Sequence, residues 1–403
     1  MPYSWKHTRL GNICKTNLQT YSPSEQWPFV NYLDTGNITE NRISEIQHII
    51  KGQDILPSRA RRKVSVNDIL YSTVRPNQRH YGIVKNVLPN MLVSTGFIVI
   101  TANKAVADSD FLYYYLSQNK IVENLHAMGE QSVSAYPSIK SSDIEGLELL
   151  LPPLVEQVEI GQTLRILDEK IAINVKINHH LEQMAQAIFK SWFVDFEPWD
   201  GVMPKDWREV PLGSLVQCID NRGKTPPLAS QLTDFPVIDV KALSGNQRVI
   251  DFNNCTKFVK AETYNSWFRS GHPKPYDILL STVGSLAEMK LFYGKRGCIA
   301  QNVVAFRTEI PFYLYQYLQY IKDDLISYNI GSVQPSIKVT HIIKHPILIP
   351  AGDLLQQFNE IIHPMIEVIY TNHCQSEHLA ALRDTLLPRL MSGELSVADL
   401  SGK

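Results

Sequence analysis

Three charged residues in the second half of the chain have a spacing that could bind a metal ion. Asp277 precedes Glu288 and Lys290, and carboxylates of this kind hold a divalent cation beside the scissile phosphate in metal-dependent nucleases. An earlier, similar segment of the chain has Arg79 and Tyr81 at the positions of the last two residues. The pattern is therefore not repeated, and a metal-dependent nuclease is kept only as an alternative function.

The other motifs for phosphate or cofactor chemistry are incomplete. The segment Arg222-Gly223-Lys224-Thr225 has the ending of a phosphate-binding loop, but Cys218 stands where that loop requires a glycine. No glycine-rich turn for a dinucleotide or for S-adenosylmethionine follows a strand-like segment, and the five cysteines lie far apart without a Cys-x-x-Cys pair. We therefore expect no cofactor and no structural metal in this chain, and reduced thiols in a cytoplasmic protein.

Positive charge is concentrated in two stretches, although the net charge of the chain is −1. Residues 59–85 contain seven Lys and Arg against one acidic residue, and residues 256–297 contain seven against three. Lysine and arginine neutralise DNA phosphates, arginine can read guanine, and asparagine and glutamine can read adenine. The sequence therefore predicts contacts with double-stranded DNA. The DNA-binding residues that we expect are Arg59, Arg61, Arg62, Lys63, Arg75, Asn77, Gln78, Arg79, Lys140, Asn221, Arg222, Lys224, Lys241, Ser285, Lys290 and Lys338.

The chain contains the same plan twice. Three short motifs occur in each half, in the same order and about 200 residues apart, which is too long a period for a solenoid repeat and indicates a duplicated domain. They are Trp-x4-Leu-Gly (5–11 and 207–213), Asp-Ile-Leu-x-Ser-Thr-Val (68–74 and 277–283) and Pro-Ser-Ile-Lys (137–140 and 335–338). Short strand-like runs interrupted by Gly, Pro and Asn, together with a helical stretch at 108–125, predict a mixed α/β (α+β) fold for each copy.

A long helical pattern follows each copy. Seam residues alternate at spacings of three and four from Leu164 to Trp192, which is the a/d pattern of a coiled coil held for four heptads. A matching pattern extends from Phe358 to Leu390, and Pro364 within it predicts a kink or a late start of the second helix. The seam residues that we expect are Leu164, Leu167, Ile171, Asn174, Asn178, Leu181, Ile188 and Trp192 in the first helix, and Ile362, Met365, Ile369, Asn372, Leu379, Leu386 and Leu390 in the second.

Two matched helices in one chain most simply pair with each other as an antiparallel coiled coil. A helix of about 33 residues spans roughly 50 Å, so such a pair would separate the two domains in a pseudo-twofold molecule. The alternative is that each helix covers only the core of its own domain. The segments that we expect are a first domain at 1–150, a first long helix at 151–197, a linker at 198–206, a second domain at 207–350 and a second long helix at 351–398.

With this duplicated plan, the chain resembles the DNA-specificity subunits of type I restriction-modification systems. Besides the duplication, the resemblance rests on Leu-Pro-Pro-Leu-Val-Glu-Gln at 151–157, Leu-Asp-Glu-Lys-Ile at 167–171 and Leu-Leu-Pro-Arg-Leu-Met-Ser-Gly-Glu-Leu at 386–395. It implies two target-recognition domains that each read one half of a bipartite DNA site. It also implies two methyltransferase subunits carried by the helix pair and an assembly with restriction-translocase subunits. Methylation and cleavage would then belong to these partners, and the chain itself would hold no catalytic residue.

Two further properties limit the possible partners. No apolar run reaches the length of about 18 residues that a membrane helix needs, so we expect no membrane partner. Residues 154–200 contain four basic residues against eight acidic ones, which predicts Glu169 and Glu182 as outward positions of a docking surface. A protein–protein scaffold that uses only the coiled coil is a third possibility, but it leaves the basic stretches without a role.

Overall fold

The structure, a computed structural model, consists of two compact units. It describes residues 5–22, 24–131, 138–245, 247–294 and 296–400, so that Pro137 of the first Pro-Ser-Ile-Lys motif lies outside the described residues. Unit 1 comprises Met1–Ile171 and Glu377–Lys403, and unit 2 comprises Ala172–Ser376. Both unit boundaries fall within the long helices, so each long helix contributes one segment to each unit.

The first half of the chain contains twelve strands and five α-helices within its described residues. The strands are β1 Lys6–Arg9, β2 Cys14–Thr16, β3 Phe29–Leu33, β4 Ile38–Thr39, β5 Arg42–Ile43, β6 Gln47–Ile50, β7 Ala60–Lys63, β8 Ile69–Ser72, β9 Tyr81–Ile83, β10 Met91–Ser94, β11 Phe97–Ala102 and β12 Glu148–Leu151. The helices are α1 Leu10–Ile13, α2 Ser109–Ser117, α3 Asn119–Glu130, α4 Ser141–Glu145 and α5 Leu154–Phe193.

The second half continues with eight strands and seven helices, again within the residues that the structure describes. The strands are β13 Arg208–Pro211, β14 Gln217–Ile219, β15 Val237–Ile238, β16 Ile278–Ser281, β17 Met289–Leu291, β18 Cys298–Ile299, β19 Val303–Arg307 and β20 Pro346–Ile349. The helices are α6 Val240–Leu243, α7 Ala261–Ser266, α8 Pro311–Tyr320, α9 Lys322–Ser327, α10 Val339–Ile342, α11 Leu354–Met391 and α12 Val397–Leu400.

The central sheet has the same strand order in both units. It is β2-β11-β8-β9 in unit 1 and β14-β19-β16-β17 in unit 2. An antiparallel pair from the two ends of the domain accompanies each sheet, β1 with β12 and β13 with β20. The duplication that the repeated motifs predict is therefore confirmed in the topology of the sheets, and so is the mixed α/β fold.

The inner strands of these sheets are apolar at nearly every position because both of their faces are covered. Ile69 and Tyr71 of β8 pack into one cluster of buried residues, whereas Leu70 packs into another. In unit 2, Ile278 and Leu280 of β16 likewise pack into one cluster, whereas Leu279 packs into another. A strand that is buried on two sides shows a continuous apolar run rather than an alternation, which explains the repeated Ile-Leu segments.

The repeated motifs hold the scaffold together. Ile139 donates its backbone N–H to Thr73 at 2.9 Å, and Ile337 donates to Thr282 at 2.8 Å, so the two later motifs pair with each other in each unit. A Cβ added at Gly11 would lie 3.1 Å from Glu145, because α1 and α4 approach closely there. The repeated motifs therefore occupy equivalent places in the two units.

The units differ beside the central sheet. Unit 1 has a second four-stranded sheet with the order β6-β3-β10-β7, in which β3 and β10 are parallel. At the corresponding place, unit 2 has the parallel pair β15 and β18, and the residues described there form no third strand. The divergent part of each domain is thus built on a shared parallel pair.

The two long helices form the antiparallel coiled coil, which is thereby confirmed. In unit 2, Asn174 donates to Gln375 at 2.9 Å and Asn178 donates to the carbonyl of Ile369 at 3.1 Å, so the residue number falls along α11 as it rises along α5. Every seam position that the sequence predicts is buried or half-buried. The seam merges with the domain cores, since Leu164 and Leu390 belong to the main cluster of unit 1.

The ends of the helices differ from the predicted bounds. Helix α5 begins at Leu154, after Pro152-Pro153, and it ends at Phe193, beyond which Phe196 has a left-handed φ of 53°. Helix α11 extends without interruption from Leu354 to Met391, so it begins ten residues upstream of Pro364 and the predicted late start is wrong.

Candidate nucleic-acid interface

The loop after β8 presents three polar side chains on a constrained backbone. Arg75 and Arg79, with φ of 47° and 57°, flank a 3-10 turn at Pro76–Gln78. Left-handed backbone costs a non-glycine residue roughly 1–2 kcal/mol, so the surroundings must impose it. Pro76 is buried, whereas Arg75, Asn77 and Gln78 are exposed. The turn therefore presents one guanidinium and two amides to solvent.

Arg79 anchors this loop. Its Nη1 lies 3.2 Å from the carboxylate of Glu40, and its Nη2 donates to Oδ1 of Asn119 at 2.8 Å. The backbone takes part as well, because the N–H of Glu40 donates to the carbonyl of Arg79 at 2.9 Å. These bonds give Arg79 a structural role, because its half-buried guanidinium holds the loop in place.

The loop after β16 stands on the same scaffold with different side chains. Val74 and Val283 form equivalent antiparallel bridges, to Ser138 and Ser336 respectively. Beyond Val283 the backbone turns through Gly284, with a φ of 89°, where unit 1 has the Arg75 turn. In this loop Ser285 is exposed, so the two units present different groups from equivalent positions.

Only some of the basic residues on and before β7 have a charged group that is accessible to DNA. Arg59 is exposed and Arg61 is half-buried, whereas burial lowers the pKa of Arg62. The ammonium of Lys63 lies 2.5 Å from the carboxylate of Glu25 and 5.2 Å from the ring of Trp27. The sequence pattern did not identify these partners, which lie far from Lys63 in the chain. Arg59 and Arg61 are therefore the cations of this run with the greatest access to a phosphate.

In unit 2, two of the predicted DNA-binding residues have structural roles. Asn221 donates to the carbonyl of Gly271 and accepts the N–H of Ser270, each at 2.9 Å. Arg222 forms a bidentate pair with Asp220, which neutralises its charge. Both side chains are therefore held by partners within unit 2, although Arg222 is exposed. Among the other predicted side chains, Lys224, Lys241 and Lys338 of unit 2 are exposed, and so is Lys140 of unit 1.

Lys290 is buried, which removes it from the DNA-binding set. Only 1% of the residue is exposed, and its ammonium donates to the carbonyls of Gly245, at 2.5 Å, and Gln247. Burial lowers the pKa of Lys290 to about 8, although nearby carboxylates, chiefly Glu288, oppose that shift. The lysine ties the segment around Gly245 to β17.

The carboxylates of the alternative metal site also have structural partners. Asp277 forms a bidentate pair with Arg307, at 3.1 and 2.7 Å, and Glu288 lies 3.0 Å from the ammonium of Lys322. Across the described parts of the chain, no group of three or more His, Cys, Asp and Glu residues could hold a metal ion. The geometry does not favour the nuclease alternative.

The outer surface of α5 differs from the prediction at one of its two acidic positions. Glu169 is exposed beside Arg165, but Glu182 forms a buried pair with Arg248 and is not an outward position.

In unit 2, the exposed face of α5 has an apolar stripe formed by Ile173, Ile177 and Met184, which are 49%, 39% and 49% exposed. Their spacing of four and seven places them on one side of the helix.

Comparisons with known proteins agree with this architecture. The family model described as "Type I restriction modification DNA specificity domain" matches residues 2–183 and again residues 204–376. The chain is 26% identical to the type I restriction enzyme HindI specificity subunit of Haemophilus influenzae, covering 97% of this chain and 99% of that protein. It is also 26% identical to the MjaIX specificity subunit of Methanocaldococcus jannaschii, covering 99% of this chain and 95% of that protein.

A solved structure shows the same fold. The crystal structure of a type I restriction-modification system S subunit from M. genitalium superposes with a TM-score of 0.59 at 16% identity, and 97% of each chain is covered. At this identity the likeness concerns the fold alone. No helix among the described residues is long and apolar enough to cross a membrane.

Proposed function

The chain belongs to the type I restriction-modification DNA specificity domain family, and from this premise we propose that it recognises a bipartite DNA site. Unit 1 reads one half of the site and unit 2 reads the other. The chain contributes sequence recognition, while methylation and cleavage are carried out by partner subunits. We expect it to act in the cytoplasm, where such a complex meets DNA.

One observation carries this proposal. The same backbone bridge, Val74 to Ser138 in unit 1 and Val283 to Ser336 in unit 2, supports a loop after the same buried strand. The exposed groups of the two loops differ, with Arg75, Asn77 and Gln78 in the first loop and Ser285 in the second. A constant scaffold with variable exposed polar groups suits two readers of different base sequences, because base edges are distinguished by the donors and acceptors that meet them.

The test of DNA reading is selection of binding sites from random duplex DNA by the full chain. We expect a site with two separated conserved halves. Replacing Asn77 and Gln78 with Ala should relax only one half, since both residues lie in unit 1. Relaxation of both halves, or the absence of any selected sequence, would contradict the proposal.

The basic residues near β7 supply the part of binding that does not depend on sequence. Each phosphate contact that is lost should lower the slope of log affinity against log salt by about 0.9. The double variant Arg59→Ala/Arg61→Ala should therefore bind all duplexes more weakly, with a smaller salt slope. As a matched control, Lys15→Ala changes an exposed cation outside the predicted DNA-binding residues and should keep the wild-type slope. If the double variant kept the wild-type slope, these arginines would not face DNA.

We further propose that the helix pair docks two methyltransferase subunits, and that restriction-translocase subunits join the complex. The apolar stripe Ile173, Ile177 and Met184 supports this proposal, because it is exposed on the outer face of a helix whose inner face already fills the seam. Exposed apolar groups that lie together on a surface mark interaction sites.

Copurification tests the docking surface. The variant Ile173→Ser/Ile177→Ser should lose methyltransferase binding while its DNA binding remains. The control is Leu232→Ser, which changes a side chain that is 82% exposed and belongs to neither long helix. Recovery of the complex at the wild-type subunit ratio from the double variant would contradict docking at this stripe.

A further inference from the structure

Unit 1 contains a cavity to which the sequence pattern assigned no role, although Arg61 of the predicted DNA-binding residues lines it. The cavity has a volume of about 220 Å³ and is lined by residues of β3, β6, β7 and the segments beside them. These strands belong to the sheet β6-β3-β10-β7. The described part of unit 2 has no strands that correspond to β6 and β7. The cavity therefore belongs to the part of the domain that differs between the two readers.

The inner walls of the cavity are aromatic and apolar. Trp27 and Tyr21 form one wall, with ring centres 4.6 Å apart and planes inclined by 46°. Phe29, Ile49 and Leu56 also line the cavity. Trp27 and Phe29 are only half-buried, so their rings are accessible from the cavity. Aromatic walls of this kind stack against planar heterocycles.

The rim of the cavity carries both signs of charge. Lys51 and Asp54 are exposed at the rim, and Arg61 lines the same cavity from β7. One carboxylate oxygen of Asp54, Oδ2, accepts the backbone N–H of Ile50 at 2.8 Å. The other, Oδ1, has no hydrogen-bond partner among the residues described around it. The cavity thus combines a stacking surface with cations and a carboxylate oxygen that can accept a hydrogen bond.

We propose that this cavity binds one nucleobase together with its phosphate. The base stacks on Trp27 and Phe29, and the cations Lys51 and Arg61 meet the phosphate. Asp54 accepts a hydrogen bond from an exocyclic amino group, such as N4 of cytosine, as acidic side chains do in base recognition. Thymine has a carbonyl oxygen at that position, which a carboxylate repels, so the cavity prefers cytosine to thymine.

The base could come from bound DNA or from a free nucleotide, since both present the same groups. A base of a duplex must leave the stack to enter a pocket, as it does in enzymes that act on single bases. The inference that the base comes from DNA rests on the proposed function, whereas the binding chemistry of the cavity does not.

Calorimetry with the full chain tests the chemistry, and the probes are dCMP, dTMP and 2-deoxyribose 5-phosphate. We expect dCMP to bind more tightly than dTMP, and the sugar phosphate to bind most weakly. Trp27→Leu should weaken dCMP binding by about tenfold or more, as loss of a base–aromatic stack does. Lys51→Gln should weaken all three probes, whereas Lys15→Gln, on β2, is the control for a cation outside the cavity.

Asp54→Asn is the second variant, because it changes specificity without removing a wall of the cavity. An amide can both donate and accept, so this variant should bind dCMP and dTMP equally while remaining folded. No heat with dCMP, or a preference for dCMP that survives Asp54→Asn, would overturn the proposal.

A duplex that carries 2-aminopurine at successive positions of the selected site separates the two sources. A rise in fluorescence at one position, absent in Trp27→Leu, assigns the cavity to a base of DNA. If dCMP binds but the fluorescence of 2-aminopurine rises at no position, the cavity is assigned to a free nucleotide. Duplex binding, followed by fluorescence anisotropy, reports separately on the proposed function, so that failure of either proposal can be recognised by itself.

Discussion

The carboxylate of Glu182, on helix α5, accepts two hydrogen bonds from the guanidinium of Arg248, at 2.7 and 2.6 Å. The side chain of Arg248 is fully buried, and its guanidinium carbon lies 4.5 Å from the centre of the Tyr315 ring. The backbone of Arg248 is also bound to β17, because its carbonyl accepts the N–H of Leu291 at 3.1 Å. Within unit 2, this ion pair fastens the domain to its own segment of the coiled coil.

Removing one partner of this pair should strongly destabilise unit 2. Glu182→Ala leaves a buried guanidinium without a counter-charge, and we expect the free energy of unfolding to fall by about 3–5 kcal/mol. Glu169→Ala is the matched control, because the pair of Glu169 with Arg165 is exposed and should contribute at most about 1 kcal/mol. Denaturant unfolding of both variants measures the difference. Equal losses would show that burial of the Arg248 pair has no energetic consequence.

The buried ammonium of Lys290 predicts a pH dependence of stability. Burial lowers its pKa to about 8 from an ordinary 10.5, so between these two values the unfolded chain binds more protons than the folded chain. Stability must therefore rise with pH across that window. Relative to Lys290→Met, the wild type should gain about 2 kcal/mol between pH 7 and pH 10. Parallel pH profiles of unfolding for the two proteins would contradict this assignment.

Arg79 should affect DNA reading as a positioning residue. Arg79→Met removes the bonds to Glu40 and Asn119, so we expect weaker discrimination at every base that the Arg75–Arg79 loop reads. Gln78→Ala should instead weaken the preference at one base position, with a loss of about 1–3 kcal/mol of discrimination. Arg79→Lys should be intermediate, because an ammonium cannot reproduce both bonds of the planar guanidinium. Site selection with each variant measures the pattern, and relaxation of a single base in Arg79→Met would assign that residue a direct contact.

The asparagines of the coiled coil should be coupled. Asn372 donates to Oδ1 of Asn178 at 2.9 Å, and Asn178 in turn donates to the carbonyl of Ile369 at 3.1 Å. Asn178→Leu leaves the amide of Asn372 without this acceptor in a half-buried seam, which should cost about 1–3 kcal/mol.

A double-mutant cycle measures this coupling. Adding Asn372→Leu to Asn178→Leu should restore part of the lost stability, because two leucines can pack in the seam. Additive losses would show that the two amides act independently. If the double variant also gained alternative associations in solution, that result would fit the role of seam asparagines in specifying register.

Much of this fold is local in origin and could be predicted. The seam from Leu164 to Trp192 follows from the helical period, and the buried strands at Ile69 and Ile278 follow from continuous apolar runs between turn residues. The repeated motifs identified the duplication, and the structure forms equivalent backbone bridges at Val74 and Val283 within them.

The candidate site was less predictable than the fold. Whether a charged side chain can reach DNA depends on its ion-pair partners, and these lie far away in the chain. Lys63 and Arg79 look alike in sequence as solvated cations, yet Glu25 lies 38 residues before Lys63 and Glu40 lies 39 residues before Arg79. No period or motif connects such pairs.

The sequence by itself determined the two copies, their strands, the two seam helices and the family to which the chain belongs. Tertiary structure alone decided which charged groups meet solvent: it left Arg75 and Gln78 exposed, buried Lys290, and turned Glu182 toward Arg248. The physical reason is that secondary structure follows from neighbours in the chain. The free energy of a charged side chain, in contrast, depends on water and on partners that only folding brings within a few ångströms.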